Sequence, residues 1–172
     1  MNFLTLAKTR CSVRSYTDRA VEPEKLDQIL QAAHVAPTAA NLQPVHLIVV
    51  QSQEGRDKLA QGANLYGAPL AILVCTDHSK AWTRPFDQKQ STDIDASILT
   101  DHMMLAATEL GLGSVWICYF NPDVIREEFA LPENLEPVNI LAIGYPNGTT
   151  AAPDRHSQTR ISLDELVSYE TL

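Results

Sequence analysis

Residues 93–110 of the chain read DIDASILTDHMMLAATEL. The apolar residues of this stretch recur at helical spacing, which predicts the longest helix of the chain. Leu99 and Ala106 flank two apolar series with a seven-residue repeat, namely Ile98, Leu105, Leu112 and Ala96, Met103, Leu110. The apolar stripe is wider than one core-facing surface needs, so the helix is either central in its own core or shared with a second subunit.

Strands and other helices are predicted on both sides of this helix. The strands are short apolar runs rich in β-branched residues, at 45–50, 70–75, 115–118 and 138–143. Further helices are predicted at 2–9, 21–36, 54–62 and 121–129, and the polar segment from Asn147 is expected to stay extended until 163–167. Because both faces of the sheet would be covered, we expect a three-layer α/β or α+β sandwich in one domain, 1–172.

Composition narrows the class of function. The formal net charge of −8 argues against nucleic acid or an anionic membrane as the main partner. The cysteines (Cys11, Cys75 and Cys118) form no CxxC pair and the histidines show no ligand spacing, so no metal site is predicted. The longest apolar run, 68–75, is too short to span a bilayer, and the N-terminus lacks an export signal, so a cytoplasmic location is expected.

The segment Arg10-Cys11-Ser12-Val13-Arg14 places two guanidiniums and a hydroxyl at alternate positions. Alternate residues of an extended segment point the same way, so all three side chains would converge on one anion. Arginine suits phosphate because its planar fork donates two parallel hydrogen bonds. An ordinary solvated surface strand would show the same spacing, and the pattern alone leaves both interpretations open.

A loop of small residues, Pro37-Thr38-Ala39-Ala40-Asn41-Leu42-Gln43-Pro44, joins a predicted helix to a predicted strand. Small side chains let a flat ligand approach the backbone, and the two primary amides each offer a donor and an acceptor. These donors and acceptors can form hydrogen bonds with the edge of a pyrimidine-like ring. A simple helix-to-strand connection with amides capping its turns remains the alternative.

Two other segments allow a structural interpretation. Gly111 follows the long helix and is predicted to be its C-terminal cap, because Gly111-Leu112-Gly113 lies between helix and strand in the reverse order of a dinucleotide fingerprint. Residues 76–92 are polar and are predicted to form a surface loop. Its aromatics, Trp82 and Phe86, either pack over something or pin the loop to the core.

Taken in order along the chain, these motifs resemble those of the nitroreductase family. The matching segments are 10–16, 36–44, Ala68-Pro69, 101–107 leading into 109–114, Gly144-Tyr145-Pro146, and Arg160 ahead of 163–167. The resemblance covers nearly the whole chain. It implies that family's α+β, three-layer α/β/α sandwich, an intertwined homodimer with FMN at the subunit interface.

The resemblance also implies roles for individual residues. The FMN phosphate, ribityl chain and pyrimidine side would be held by Arg10, Ser12 and Arg14, with Cys11 between them and Arg160 as a second phosphate contact. From the other subunit, the flavin would be met by Pro37, Thr38, Ala39, Asn41 and Gln43. The backbone around Trp116, Ile117 and Cys118 would lie near the ring. The long helix would form the dimer, and the polar tail would reach across the partner.

The implied chemistry is transfer of hydride from NADH or NADPH through the flavin to an electron-poor acceptor such as a nitroaromatic or a quinone. No catalytic acid or base is named, since the cofactor carries the reaction. Alternatives with the same fold are dehalogenation, substrate oxidation, and storage or delivery of FMN; a domain without flavin is the fourth. Departures from the family's pattern are Gln158 in place of a lysine, Cys118-Tyr119 in place of a Gly-Gly or Glu-Gly pair, and 76–92 in place of a longer helical insertion.

Overall fold

Four strands and seven helices form in residues 2–172, the part of the chain that the computed structural model describes. The helices are α1 (Phe3–Thr9), α2 (Pro23–His34), α3 (Gln53–Gly62), α4 (Thr92–Glu109), α5 (Pro122–Glu128), α6 (His156–Thr159) and α7 (Leu163–Leu166). The strands are β1 (Val45–Val50), β2 (Leu70–Asp77), β3 (Gly113–Ile117) and β4 (Leu135–Gly144). Short 3₁₀ turns lie at Ala39–Asn41 and Pro153–Arg155.

The strands make one antiparallel sheet in the order β1-β2-β4-β3. Every residue of the interior strand β2 is buried, which explains why this part of the sequence is a continuous apolar run rather than an alternating one. In the register, Val45 pairs with Thr76, and Ser114 pairs with Ile143. β1 and β3 are therefore the two edges of the sheet.

Helices cover both faces of the sheet, so the prediction of a three-layer sandwich is confirmed. The core on one face packs β-strand side chains against α3 and α5, with Leu59, Leu73, Ile125 and Ile140 fully buried. The core on the other face packs them against α2 and α4, with Ile29, Ile72, Met103 and Leu141 fully buried. Successive strand residues point to opposite faces, so β1, β2 and β4 contribute to both cores. β3 contributes Val115 and Ile117 to the first core.

The long helix α4 runs along the second of these faces. It ends where Gly111 takes a left-handed φ of 76°, with Gly111 N–H donating to Thr108 O and Leu112 N–H to Ala107 O. These two bonds satisfy carbonyls that the helix end leaves free, so Gly111 is the predicted cap. Within residues 2–172, no helix combines the length and the hydrophobicity needed to cross a membrane.

The prediction that the tail stays extended until residue 163 is wrong. A turn at Pro153–Arg155 leads directly into α6. The Arg155 guanidinium donates to Lys8 O at 3.2 Å and to Arg10 O at 2.7 Å, which ties this helix to the N-terminal segment. A contact across so many residues stabilises a helix that local composition does not predict.

Residues 82–91 form a hairpin rather than an irregular loop. Ser91 N–H donates to Trp82 O, Arg84 N–H to Lys89 O, and Thr83 pairs with Gln90. Phe86 is 94% exposed at its tip and Trp82 is 37% exposed, so the interpretation that both aromatics pin the loop to the core is wrong. The hairpin's own hydrogen bonds hold its shape and leave Phe86 free of the core.

Candidate functional site

The N-terminal segment 10–14 lies along the free edge of β3. Ser12 pairs in parallel with Ser114, and Val13 N–H donates to Ser114 O at 2.9 Å. Val13 is buried in the core beneath, whereas its neighbours Ser12 and Arg14 are exposed. The alternation that the sequence predicted therefore turns the arginines and the serine away from the core.

A glycine makes this docking possible. A Cβ added at Gly113 would lie 2.7 Å from Val13 Cγ2 and 2.9 Å from Pro146 Cγ, closer than side-chain carbons approach each other. Gly113 thus lets the N-terminal segment sit directly on β3. The position of the arginines depends on that close approach.

Predicted residues from the two ends of the chain line one cavity of about 320 Å³, called here the arginine cavity. Its walls include the sequence-predicted Arg10, Cys11, Ser12, Arg14 and Arg160. Arg155 and His156 line it too, and neither was predicted from the sequence. In the sequence, Arg155 and His156 are only a basic pair in a polar tail. They can be assigned to the cavity only because α6 packs against the segment 10–14.

The arginine cavity is electropositive although the protein is acidic overall. Within residues 2–172, none of the arginines that line this cavity forms an ion pair with a carboxylate. Desolvation first, and then the positive charges of Arg155 and Arg160, lower the pKa of His156 below its ordinary value. Guanidiniums without carboxylate partners favour an anion as ligand.

The second group of predicted residues lies in the loop 37–44, called here the amide loop. Ala40, Asn41 and Gln43 have φ values of 50°, 55° and 52°, a left-handed conformation that alanine and glutamine disfavour and asparagine tolerates. Gln43 N–H donates to the Thr38 hydroxyl at 3.1 Å, and Ala39 N–H donates to Asp95 Oδ1 at 2.8 Å. The Asn41 and Gln43 side chains are exposed. The loop therefore has a strained backbone, is held by hydrogen bonds, and exposes its amide side chains to solvent.

The third group lies at the end of β3. Ile117 is buried in the core, Trp116 is half-buried, and Cys118 directly after the strand is exposed and forms no disulfide. Trp116 Nε1 is buried without a hydrogen-bond partner among the described residues. This group continues along the edge of β3 that carries Ser12, so it belongs with the arginine cavity and not with the amide loop.

Within one chain, the amide loop and the arginine cavity are far apart. The sheet register puts Val45, which follows the amide loop, at the corner diagonally opposite Ser114, about 27 Å away. The long helix gives an independent measure: Asp95 at its start holds the amide loop, and Thr108 near its end shares a small cavity with Cys11. Thirteen residues of helix rise by about 20 Å. One copy of the chain therefore does not bring all the predicted residues together.

The chemistry of the donors fits a phosphate-bearing cofactor with a flat, polar-edged ring. Unpaired guanidiniums and the Ser12 hydroxyl suit a phosphate, and the amides of Asn41 and Gln43 suit alternating ring donors and acceptors. Metal binding has no comparable support, since residues 2–172 contain no group of three or more His, Cys, Asp or Glu side chains placed to hold an ion. FMN carries both a phosphate and such a ring.

Comparison with known proteins identifies the family to which the chain is similar. The sequence model of the Nitroreductase family matches residues 7–64 and 58–145. A Bacillus subtilis protein named FMN reductase (NAD(P)H) is 33% identical over 184 residues, covering 92% of this chain and 74% of that protein.

Two solved structures are similar over nearly the full length. A nitroreductase family protein from Clostridium difficile 630 is 64% identical, with a TM-score of 0.99 and all of both chains covered. An FMN-dependent nitroreductase from Clostridium difficile R20291 is 31% identical, with a TM-score of 0.81 over 99% of this chain and 100% of the other.

Proposed function

Because the chain belongs to the nitroreductase family, we propose that it binds FMN between two copies of itself. In this proposal, hydride passes from NADH or NADPH through the flavin to a small electron-poor acceptor such as a nitroaromatic or a quinone. The chain is an NAD(P)H-dependent oxidoreductase. The choice of FMN, the acceptor class and the homodimer are the proposed parts.

The observation that carries the proposal is the carboxylate-free arginine cavity. An acidic protein that leaves Arg10, Arg14 and Arg160 without acidic partners around one cavity keeps them for an external anion. In the proposal, these guanidiniums offset the charge of the FMN phosphate, and the Ser12 hydroxyl adds a further hydrogen bond.

The distance between the two groups of residues favours a homodimer. Ile94 on the outer face of α4 is 54% exposed, and Ile98 and Leu105 on the same stripe are half-buried. Two copies pairing antiparallel through this stripe would bring the start of one α4 to the end of the other. The amide loop of one copy would then face the arginine cavity of its partner.

Most of the mechanism in this proposal is binding and orientation. Bound FMN would supply the chemistry of hydride transfer between the nicotinamide and the acceptor. The arginine cavity holds the phosphate arm, and the edge of β3 from Trp116 to Cys118 supports one side of the ring. The amide loop presents Asn41 and Gln43 to the polar edge of the ring, while its alanines allow close approach of a flat molecule.

The experiment is a visible absorption spectrum of the purified protein, repeated without oxygen after addition of NADH and then NADPH. The proposal predicts a flavin spectrum that one of the two nucleotides bleaches rapidly, and a later return of colour when a quinone or nitroaromatic is added. Bound flavin that neither nucleotide reduces would contradict electron transfer and favour storage or delivery of FMN. Protein that stays colourless after incubation with FMN would contradict the proposal as a whole.

A further inference from the structure

We infer that Asp95 is a positioning residue for flavin binding: its buried carboxylate fixes the strained amide loop in the conformation that meets the cofactor. This inference rests on the proposed FMN site. Asp95 lies in the first turn of α4 and would touch neither the cofactor nor the substrate, so its influence passes through the backbone of Ala39.

The contacts of Asp95 are specific and use both of its oxygens. The side chain is fully buried. Oδ1 accepts the Ala39 N–H at 2.8 Å, and Oδ2 accepts the Ser91 hydroxyl at 2.7 Å. One carboxylate therefore joins the start of the amide loop to the last residue of the hairpin 82–91. An acidic side chain is stabilised at this place because the N-terminal end of a helix carries partial positive charge.

The amide loop needs such an anchor. A left-handed conformation costs about 1–2 kcal/mol for a residue such as Ala40 or Gln43 and less for Asn41, whose short amide side chain tolerates it; all three lie within four positions. Strain of this kind persists only where the surrounding structure enforces it, and it is concentrated at ligand-binding sites. The loop is held at its start by Ala39 N–H on Asp95 and at its end by Asp77 N–H on Pro44 O at 2.8 Å.

These observations give Asp95 a role that ordinary core packing does not require. Without it, the loop can relax toward unstrained backbone, and Asn41 and Gln43 leave the positions from which they would bind the ring. Flavin affinity then falls even though no group of the arginine cavity has changed. The amide hydrogen of Ala39, protected by a buried acceptor in the native protein, becomes free to exchange.

The test compares Asp95→Ala with Asp95→Asn, which retains an acceptor for Ala39 and gains a donor for Ser91. Two quantities are measured: the FMN dissociation constant, and hydrogen exchange of the Ala39 amide in the flavin-free protein. Asp95→Ala should weaken FMN binding about tenfold or more, as expected for loss of a hydrogen bond to a charged group, and should speed Ala39 exchange. Asp95→Asn should keep both the FMN dissociation constant and the Ala39 exchange rate close to their wild-type values.

Matched controls separate positioning from general destabilisation. Thr100→Val removes a buried hydrogen bond to Asn139 Oδ1 from the same helix, at 3.1 Å, and should lower thermal stability without changing FMN affinity. Ser91→Ala removes the hydroxyl that donates to Asp95 Oδ2 but keeps the bond from Ala39 N–H to Oδ1, so it should weaken FMN binding much less than Asp95→Ala does. If either control weakens FMN as much as Asp95→Ala does, the inference is overturned.

A second variant covers the case in which Asp95→Ala does not fold. Ala39→Pro removes the N–H itself, and Thr38 has φ −130° and ψ 159°, a conformation that a following proline accepts. It should weaken FMN to a similar degree. The inference alone would be overturned by native-like FMN affinity in Asp95→Ala with rapid Ala39 exchange, or by native-like FMN affinity in Ala39→Pro, which lacks the hydrogen bond to Asp95. Wild-type protein that binds no FMN would instead overturn the proposed function.

Discussion

Replacing Gly113 by alanine should displace the N-terminal segment and thereby weaken FMN binding. The new Cβ would lie 2.7 Å from Val13 Cγ2, 2.9 Å from Val13 Cβ and 2.9 Å from Pro146 Cγ, so neither neighbour can yield by rotating a flexible chain end. Overpacking of this kind costs about 1–3 kcal/mol. The gain from replacing a strand glycine by alanine, about 0.5–1 kcal/mol, offsets part of it.

The net loss, about 1 kcal/mol and at most about 2.5 kcal/mol, should lower the midpoint of thermal unfolding by about 2–4 °C and at most about 10 °C in a chain of this length. Calorimetry measures the stability, and fluorescence titration of the flavin-free protein measures FMN affinity. Gly55→Ala is the matched control, since its Cβ would lie 2.8 Å from Val50 Cγ1, remote from the segment 10–14. It should lower stability while keeping FMN affinity. Unchanged FMN affinity in Gly113→Ala, with stability lowered, would refute the claim that this close approach positions the arginines.

Three other perturbations test separate parts of the molecule. Arg160→Ala should weaken FMN binding about tenfold or more, with the deficit growing at low salt, and an unchanged dissociation constant would remove Arg160 from the site. The pKa of His78 is raised, mainly because its ring hydrogen-bonds to the Gln90 side chain. The stability that His78 contributes is therefore complete below pH about 6.5 and is lost as pH rises through the raised pKa. His78→Ala should abolish that part of the pH dependence in thermal unfolding. The pKa of Glu22 is lowered to about 2, mainly by the hydrogen bond that the Tyr145 hydroxyl donates to its carboxylate. The stability from Glu22 is therefore present above pH about 4.5 and is lost as pH falls toward 2. On acidification, Tyr145→Phe should start to unfold at a higher pH than the wild type.

Hydrophobic pattern was sufficient to predict most of the fold. The bounds of β1 were predicted without error, because Val45–Val50 is a β-branched run between a proline and a polar turn. The start of β4 was predicted three residues late. Glu136 and Pro137 do not look like a central strand, and they are accommodated where the register between β2 and β4 shifts at Val74/Cys75. A proline is tolerated at such an irregularity, which only the pairing reveals.

The candidate site was predictable in part. The alternation of Arg10, Ser12 and Arg14 survives folding, because one extended segment carries all three side chains. Arg155 and His156 enter the same cavity through tertiary contacts with residues far away in the sequence. Asp95 could not be singled out among 21 acidic residues, since only its burial and its bond to Ala39 distinguish it.

The central claim, that each flavin site is built from two copies of the chain, is tested most directly by complementation. One chain carries Arg10→Ala and Arg160→Ala, which disable the arginine cavity; the other carries Ala39→Trp, which blocks the amide loop but retains its backbone N–H. Each variant alone should purify without FMN. Co-expressed with different tags and purified through both, the mixed dimer should hold about half the FMN per chain of the wild type, because one of its two sites has both halves intact. A mixed dimer without FMN would contradict the shared site and place every essential residue within a single chain.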